Sequence, residues 1–148
     1  FPDLGDKHVL DLGCGYGFLS MAAAKAGAAL VQATDNDARA IKACKANFEL
    51  HNIPGSVMAS DCAEGIEGPF DVIVCNRPFH QGFNSSTEIS DKFVESMARL
   101  LDADGVCLMV CNEFLPYEKR ATEFFGQIEV LDQAAGFKIL ELKMPLDF

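Results

Sequence analysis

Short apolar runs alternate along this chain with segments in which apolar residues recur every three or four positions. Such alternation marks strands separated by helices, and so a mostly parallel sheet covered by helices on both faces. Val9 to Leu12 reads as a strand, Phe18 to Ala26 as a helix stopped by Gly27, and Ala29 to Thr34 as a second strand. Asp37 is the expected N-cap of a helix from Ala38 to about Leu50, with Ile41, Cys44, Lys45 and Phe48 on its inward face and Lys45 snorkelling outward. Ser56 to Ala59 is a third strand. The stretch Glu64 to Pro69 is too short and too rich in breakers for a full crossover helix.

Phe70 to Cys75 and Gly105 to Cys111 are apolar enough to lie at the centre of the sheet, with a helix from Thr87 to Leu101 between them. A last helix is expected over Tyr117 to Phe125. Ile128 to Leu131 and Phe137 to Met144 then pair antiparallel through Ala134-Ala135-Gly136. The pattern predicts a seven-stranded sheet with an antiparallel strand at its edge.

The length of 148 residues suits one domain, residues 1–148, and the start on Phe1 suggests a piece excised from a longer protein. No apolar run reaches the roughly 20 residues of a membrane span, and no signal peptide is present, so a cytoplasmic location is expected. The six cysteines include no CxxC pair and most have apolar neighbours, which points to buried thiols and to no metal. Twelve Lys and Arg against 22 Asp and Glu give a net charge of −10, unfavourable for any grip on nucleic acid that works by neutralising phosphates.

The chemistry gathers at strand ends. The first strand runs through Asp11 into Gly13-Cys14-Gly15-Tyr16-Gly17, where residues lacking Cβ let backbone approach a ligand at the carboxyl edge of the sheet. The spacing is G-x-G-x-G, with Phe18 where a dinucleotide fingerprint needs glycine, so NAD is disfavoured. Asp35, at the end of the second strand and followed by Asn36, is positioned to hold ribose hydroxyls. After the third strand, Asp61 and Cys62 are candidates for the edge of an adenine, although Ser-Asp is also ordinary turn chemistry. A cationic sulfonium suits these acidic surroundings better than a pyrophosphate does.

The fourth strand ends in Asn76-Arg77-Pro78-Phe79-His80-Gln81-Gly82. Together with VLDLGCGYG and with NEFLPYEKRATEFFG at Asn112 to Gly126, this resembles the bacterial ribosomal RNA guanine-N2 methyltransferases, from about Val9 to Met144. The resemblance implies a Rossmann-like class I fold, S-adenosylmethionine as methyl donor, and ribosomal RNA or the small ribosomal subunit as partner, with a further N-terminal domain. It implies that the side-chain oxygen of Asn76 and the carbonyl of Arg77 accept the two hydrogens of an exocyclic amine, turning its lone pair toward the methyl group, while Phe79 stacks on a base swung out of its helix.

The sequence departs from the family's N-P-P-F motif at Arg77, which stands where the first proline would be. Pro78 still biases residue 77 toward an extended backbone. Arg77 either holds an RNA phosphate or obstructs the base pocket. His80 reads either as a base or phosphate contact or as a turn residue, and Phe114 and Tyr117 either as borders of the substrate cleft or as core or rim residues. Methylation of another planar amine, adenine N6 or protein glutamine, and a noncatalytic binding role are the competing functions.

Overall fold

The computed structural model describes residues 3–76, 86–114 and 116–146, with backbone alone over 86–90. Among the described residues, seven strands and four helices follow one another as β1 (His8–Leu12), α1 (Phe18–Lys25), β2 (Leu30–Asp35), α2 (Ala38–Leu50), β3 (Gly55–Ala59), β4 (Phe70–Asn76), α3 (Ser86–Leu100), β5 (Leu101–Asn112), α4 (Tyr117–Ala121), β6 (Phe125–Ala134) and β7 (Phe137–Pro145).

One sheet takes all seven strands in the order β3-β2-β1-β4-β5-β7-β6. The first five are parallel, so β1 to β4 all deliver their C-terminal residues to one edge. The order reverses between β1 and β4, and a crevice at such a reversal is where open α/β sheets take their ligands. The antiparallel strand is β7, one place in from the edge. It separates β5 from β6 and pairs antiparallel with both.

Two apolar layers hold the sheet. On one face Val9, Val31, Ala33, Val72 and Val74 pack against Ala23 of α1 and against Cys44 and Phe48 of α2. On the other, Leu10, Leu12, Ile73, Cys75, Cys107 and Met109 meet Phe93, Val94 and Met97 of α3. The segment between β3 and β4 forms turns in place of a helix, as its breakers predict, and contributes Ala63 and Ile66 to this second layer. Asp37 caps α2 as expected, its carboxylate accepting from the Arg39 N–H at 2.9 Å. Lys45 is exposed and takes no part in the inward face of α2.

The last third differs from its pattern. The helix expected to reach Phe125 ends at Ala121, and β6 begins at Phe125, well before Ile128. Phe125 is 2% exposed and pairs with Pro145 of β7, so a cross-strand partner 20 positions away overrides the local helical spacing.

Candidate functional site

The glycine loop is built for bends that side chains resist. Gly13, Gly15 and Gly17 have φ of 77°, 57° and 100°. A Cβ on Gly17 would lie 3.0 Å from the Cys44 sulfur, so that glycine serves packing. A Cβ on Gly13 or Gly15 would meet no protein atom within 4 Å, so those two face open space.

Most of the loop's N–H groups are already bonded within the protein. Those of Gly13 and Cys14 both donate to the Thr34 carbonyl at 2.9 Å, and that of Gly17 donates to the Cys14 carbonyl at 2.9 Å. The Gly15 N–H donates to Asp35 Oδ2 at 2.9 Å, and Asp35 Oδ1 accepts from the Asp37 N–H at 3.0 Å. A carboxylate offers about four acceptor positions, so Asp35 keeps capacity for two more donors while fixing the loop.

Asp11 is 1% exposed beneath the loop. Its Oδ2 accepts from the Ser20 hydroxyl at 2.7 Å, and the backbone N–H of Ser20, in the first turn of α1, supports it as well. Burial pushes this carboxyl up to about 6; the Ser20 bonds oppose the rise and the Asp35 charge adds to it. The protein's own carboxylate thus occupies the helix N-terminus that a dinucleotide fold leaves open for pyrophosphate.

The space above is a narrow cleft lined by Leu12, Gly13, Thr34, Asp35, Asn36, Ser60, Cys62 and Phe93. Of the residues expected at a cofactor, it brings together Gly13, Asp35, Asn36 and Cys62, with Gly15 tied in through Asp35. Cys62 and Ala63 both have left-handed backbone, φ 49° and 64°, and their turn is held where the Ser96 hydroxyl donates to the Cys62 carbonyl at 2.7 Å. Asp61 is exposed and lines a neighbouring depression with Lys92, Glu95 and Arg99. The Cys14 thiol is buried against Cys44, and that contact together with burial pushes it well above the ordinary thiol range; Cys14 therefore offers the loop only its backbone.

Asn76 is exposed at the end of β4, the strand next to β1. Arg77, Pro78, Phe79 and His80 lie outside the described residues. Among the described residues no cluster of His, Cys, Asp and Glu is able to hold a metal ion. A roomier groove lies between α1 and the turn after α2, lined mainly by Phe18, Met21, Ile53 and Pro54, and it carries no acidic group.

Sequence reading missed Thr34, Ser60 and Phe93 in the cleft. Thr34 and Phe93 sit within regular apolar patterns that give no sign of a ligand. Thr34 is nevertheless distinctive in three dimensions, because its buried hydroxyl has no partner among the described residues.

An open α/β sheet with an acidic, internally bonded glycine loop at its reversal point has the Rossmann-like fold of class I S-adenosylmethionine-dependent methyltransferases. The chain belongs to the methyltransferase small domain family, whose model matches residues 1–141. It is 36% identical over 137 residues to ribosomal RNA small subunit methyltransferase C of Enterobacter sp. (strain 638), covering 92% of this chain and 40% of that one. The counterpart from Sodalis glossinidius (strain morsitans) is 38% identical over 136 residues, with 90% and 39% covered. Among solved structures, the 16S rRNA N2 G1207 methyltransferase of T. thermophilus, in complex with AdoMet and guanosine, superposes with a TM-score of 0.84 at 32% identity, covering 95% of this chain and 38% of that one. A ribosomal protein L11 methylase from Lactobacillus delbrueckii subsp. bulgaricus, with a TM-score of 0.80 at 24% identity, shares the fold. The chain thus spans about two fifths of the length of the curated relatives it matches.

Proposed function

We propose that this chain binds S-adenosylmethionine in the cleft at Gly13 and Asp35 and catalyses methyl transfer to the N2 amine of a guanine in ribosomal RNA, in the cytoplasm. The observation that carries the cofactor is the filled anion seat. With Asp11 on the first turn of α1 and the N–H groups of Gly13, Cys14, Gly15 and Gly17 bonded within the protein, a pyrophosphate meets repulsion and a loop short of donors, whereas a cation is drawn by the field of two carboxylates. The choice of guanine rests on the 32% identity to a protein described as an N2 G1207 methyltransferase.

In this reading Asp35 uses its remaining acceptor positions on the ribose hydroxyls, and the turn at Asp61 and Cys62 meets the adenine edge. Gly13 and Gly15 leave the room in which a Cβ would stand. S-adenosylmethionine supplies an activated methyl group whose transfer turns a sulfonium into a neutral thioether. The task left to the protein is to orient the amine: the oxygen of Asn76 and the carbonyl of residue 77 accept its two hydrogens, and Phe79 stacks on the base. Positioning of that kind accounts for much of the acceleration in two-substrate reactions. Asp11 stays ionised beside the cationic ligand and stabilises it electrostatically. The acidic surface leaves the grip on phosphates to a further domain or to the ribosomal subunit itself.

The test is transfer from labelled S-adenosylmethionine to undermodified small-subunit ribosomal RNA, with nucleoside analysis of the product. N2-methylguanosine is expected, and Asn76→Ala abolishes it while leaving cofactor affinity within a few fold. N6-methyladenosine, or label on protein glutamine, would replace guanine as the target. Cofactor binding without any transfer would assign Arg77 an obstructing role and make the chain a binding module.

A further inference from the structure

Phe114 is the most exposed large apolar residue described, at 81%, although it sits in a tightly bonded turn. The turn follows β5, which continues past Val110, the neighbour of Asn76, to Asn112. Two residues of strand span about 7 Å, so this turn stands at the same carboxyl edge as the amine-orienting asparagine and rises beyond it.

Four groups hold the turn. The Glu113 N–H donates to the Gly136 carbonyl at 2.8 Å. The Gln133 side chain donates to Glu113 Oε2 at 2.8 Å, and the Phe114 N–H donates to Asn112 Oδ1 at 2.8 Å. Lys138, 4% exposed, sends Nζ to the Glu113 carbonyl at 3.3 Å and to the Glu118 carboxylate of α4. A buried ammonium is costly unless fully partnered. Here the partners are the turn and the helix that follows it. The arrangement leaves Glu113 gripped on its N–H, carbonyl and carboxylate while its neighbour Phe114 stands in water. Phe137, across from Asn112 on β7, is also half exposed.

We propose that Phe114 is an RNA-contacting residue that stacks on a base adjacent to the target nucleotide, and that Lys138 is the positioning residue that holds it there. This rests on the reading of the site as one that acts on RNA. Charge selects the kind of contact. Of the three charges at the turn, Lys138 offsets Glu118 and the Glu113 carboxylate is left beside the ring, where its field disfavours phosphates; a neutral, flat base is the part of an RNA strand able to approach. Base-on-aromatic stacking needs no basic groups and tolerates any sequence.

The experiment uses the whole chain with Phe114→Ala and Phe114→Tyr, and Lys138→Met with Lys138→Arg. Binding of a single-stranded oligonucleotide from small-subunit ribosomal RNA is followed by fluorescence anisotropy, alongside methyl transfer to that RNA and to free guanosine. Phe114→Ala is expected to weaken RNA binding and raise the RNA KM about tenfold, with kcat, transfer to guanosine and S-adenosylmethionine affinity unchanged. Phe114→Tyr retains binding. Lys138→Met shows the same KM effect in a milder form, and Lys138→Arg reverses it in part. Unaltered RNA binding by Phe114→Ala, or an equal loss on guanosine, would overturn the proposal and leave the exposed ring as a protein-docking point. If the chain methylates no guanine yet Phe114→Ala still weakens RNA binding, the stacking role stands and the assigned reaction falls.

Discussion

At the scale of single residues the site trades stability for charge. Asp11 carries a carboxyl raised to about 6 from 3.8, chiefly by burial, and that difference amounts to about 3 kcal/mol against the ionised form. A folded-state value above the unfolded one means that the native protein binds more protons between about pH 4 and pH 6, so stability is lost as pH rises through that window. Asp11→Asn removes the penalty while still able to accept from Ser20. In the ligand-free protein it is expected to raise stability by up to about 3 kcal/mol at pH 7 and by little at pH 4, checked by urea unfolding at both pH values. S-adenosylmethionine affinity moves the other way: it falls in the wild type as pH drops below about 6, whereas the variant binds weakly at every pH. A variant that is both more stable and an undiminished binder would remove Asp11 from the site.

The glycines separate into two kinds on the same scale. Gly17→Ala meets the Cys44 sulfur at 3.0 Å with φ at 100°, and should destabilise the fold by roughly 1 to 3 kcal/mol. Gly15→Ala has φ 57°, inside the left-handed region that other residues visit, and a Cβ that touches nothing. Its melting temperature should drop by only a few degrees, since left-handed backbone costs an alanine roughly 1 to 2 kcal/mol, while calorimetry shows cofactor affinity reduced more than tenfold. Comparable affinity losses for the two variants after allowance for unfolding would mean that the space over Gly15 is not ligand space.

At the scale of elements, the parts that were legible in sequence are those whose local and tertiary demands agree. Asp37 caps α2 where the pattern begins, and the short strand β1 runs into glycines that can only be a turn. The hairpin was legible for a similar reason, since Ala135 and Gly136 lie between two apolar runs, and the turn adopts φ of 55° and 84° at its two central positions. What sequence could not reveal was set by distant partners. Phe125 joins a strand because Pro145 and the core lie beside it, and Lys138 is buried because Glu113 and Glu118 come to it from other elements. The cleft residues Thr34 and Phe93 are in the same position, being visible only when three strands and α3 converge. The hairpin gives an element-scale prediction. Alanine is a poor choice for the first central position of this turn, where both φ are positive, and asparagine is a good one. Ala135→Asn should stabilise the protein by about 1 kcal/mol, a rise in Tm of roughly 2 to 4 °C by scanning calorimetry, with no change in cofactor binding.

At the scale of the whole molecule, charge governs how an RNA strand can be held. Each phosphate neutralised by a lysine or arginine releases condensed counterions, and for single strands the logarithm of affinity then falls with the logarithm of salt by about 0.7 per phosphate contacted. This chain has 12 basic residues against 22 acidic ones, and two of the basic side chains, Arg120 and Lys138, are committed to Asp91 and Glu118. The ten that remain (12 − 2) face 20 other carboxylates (22 − 2), an unfavourable field in which to follow a backbone. Binding of a single-stranded ribosomal RNA oligonucleotide should therefore be weak and should show a salt slope shallower than about −1.5 between 50 and 200 mM, equivalent to no more than about two phosphates. Stacking is insensitive to salt, so Phe114→Ala should lower affinity by the same factor at both ends of that range and leave the slope unchanged. A slope of −3 or steeper would reveal a basic track that the composition denies, and would move the grip on RNA from bases to phosphates.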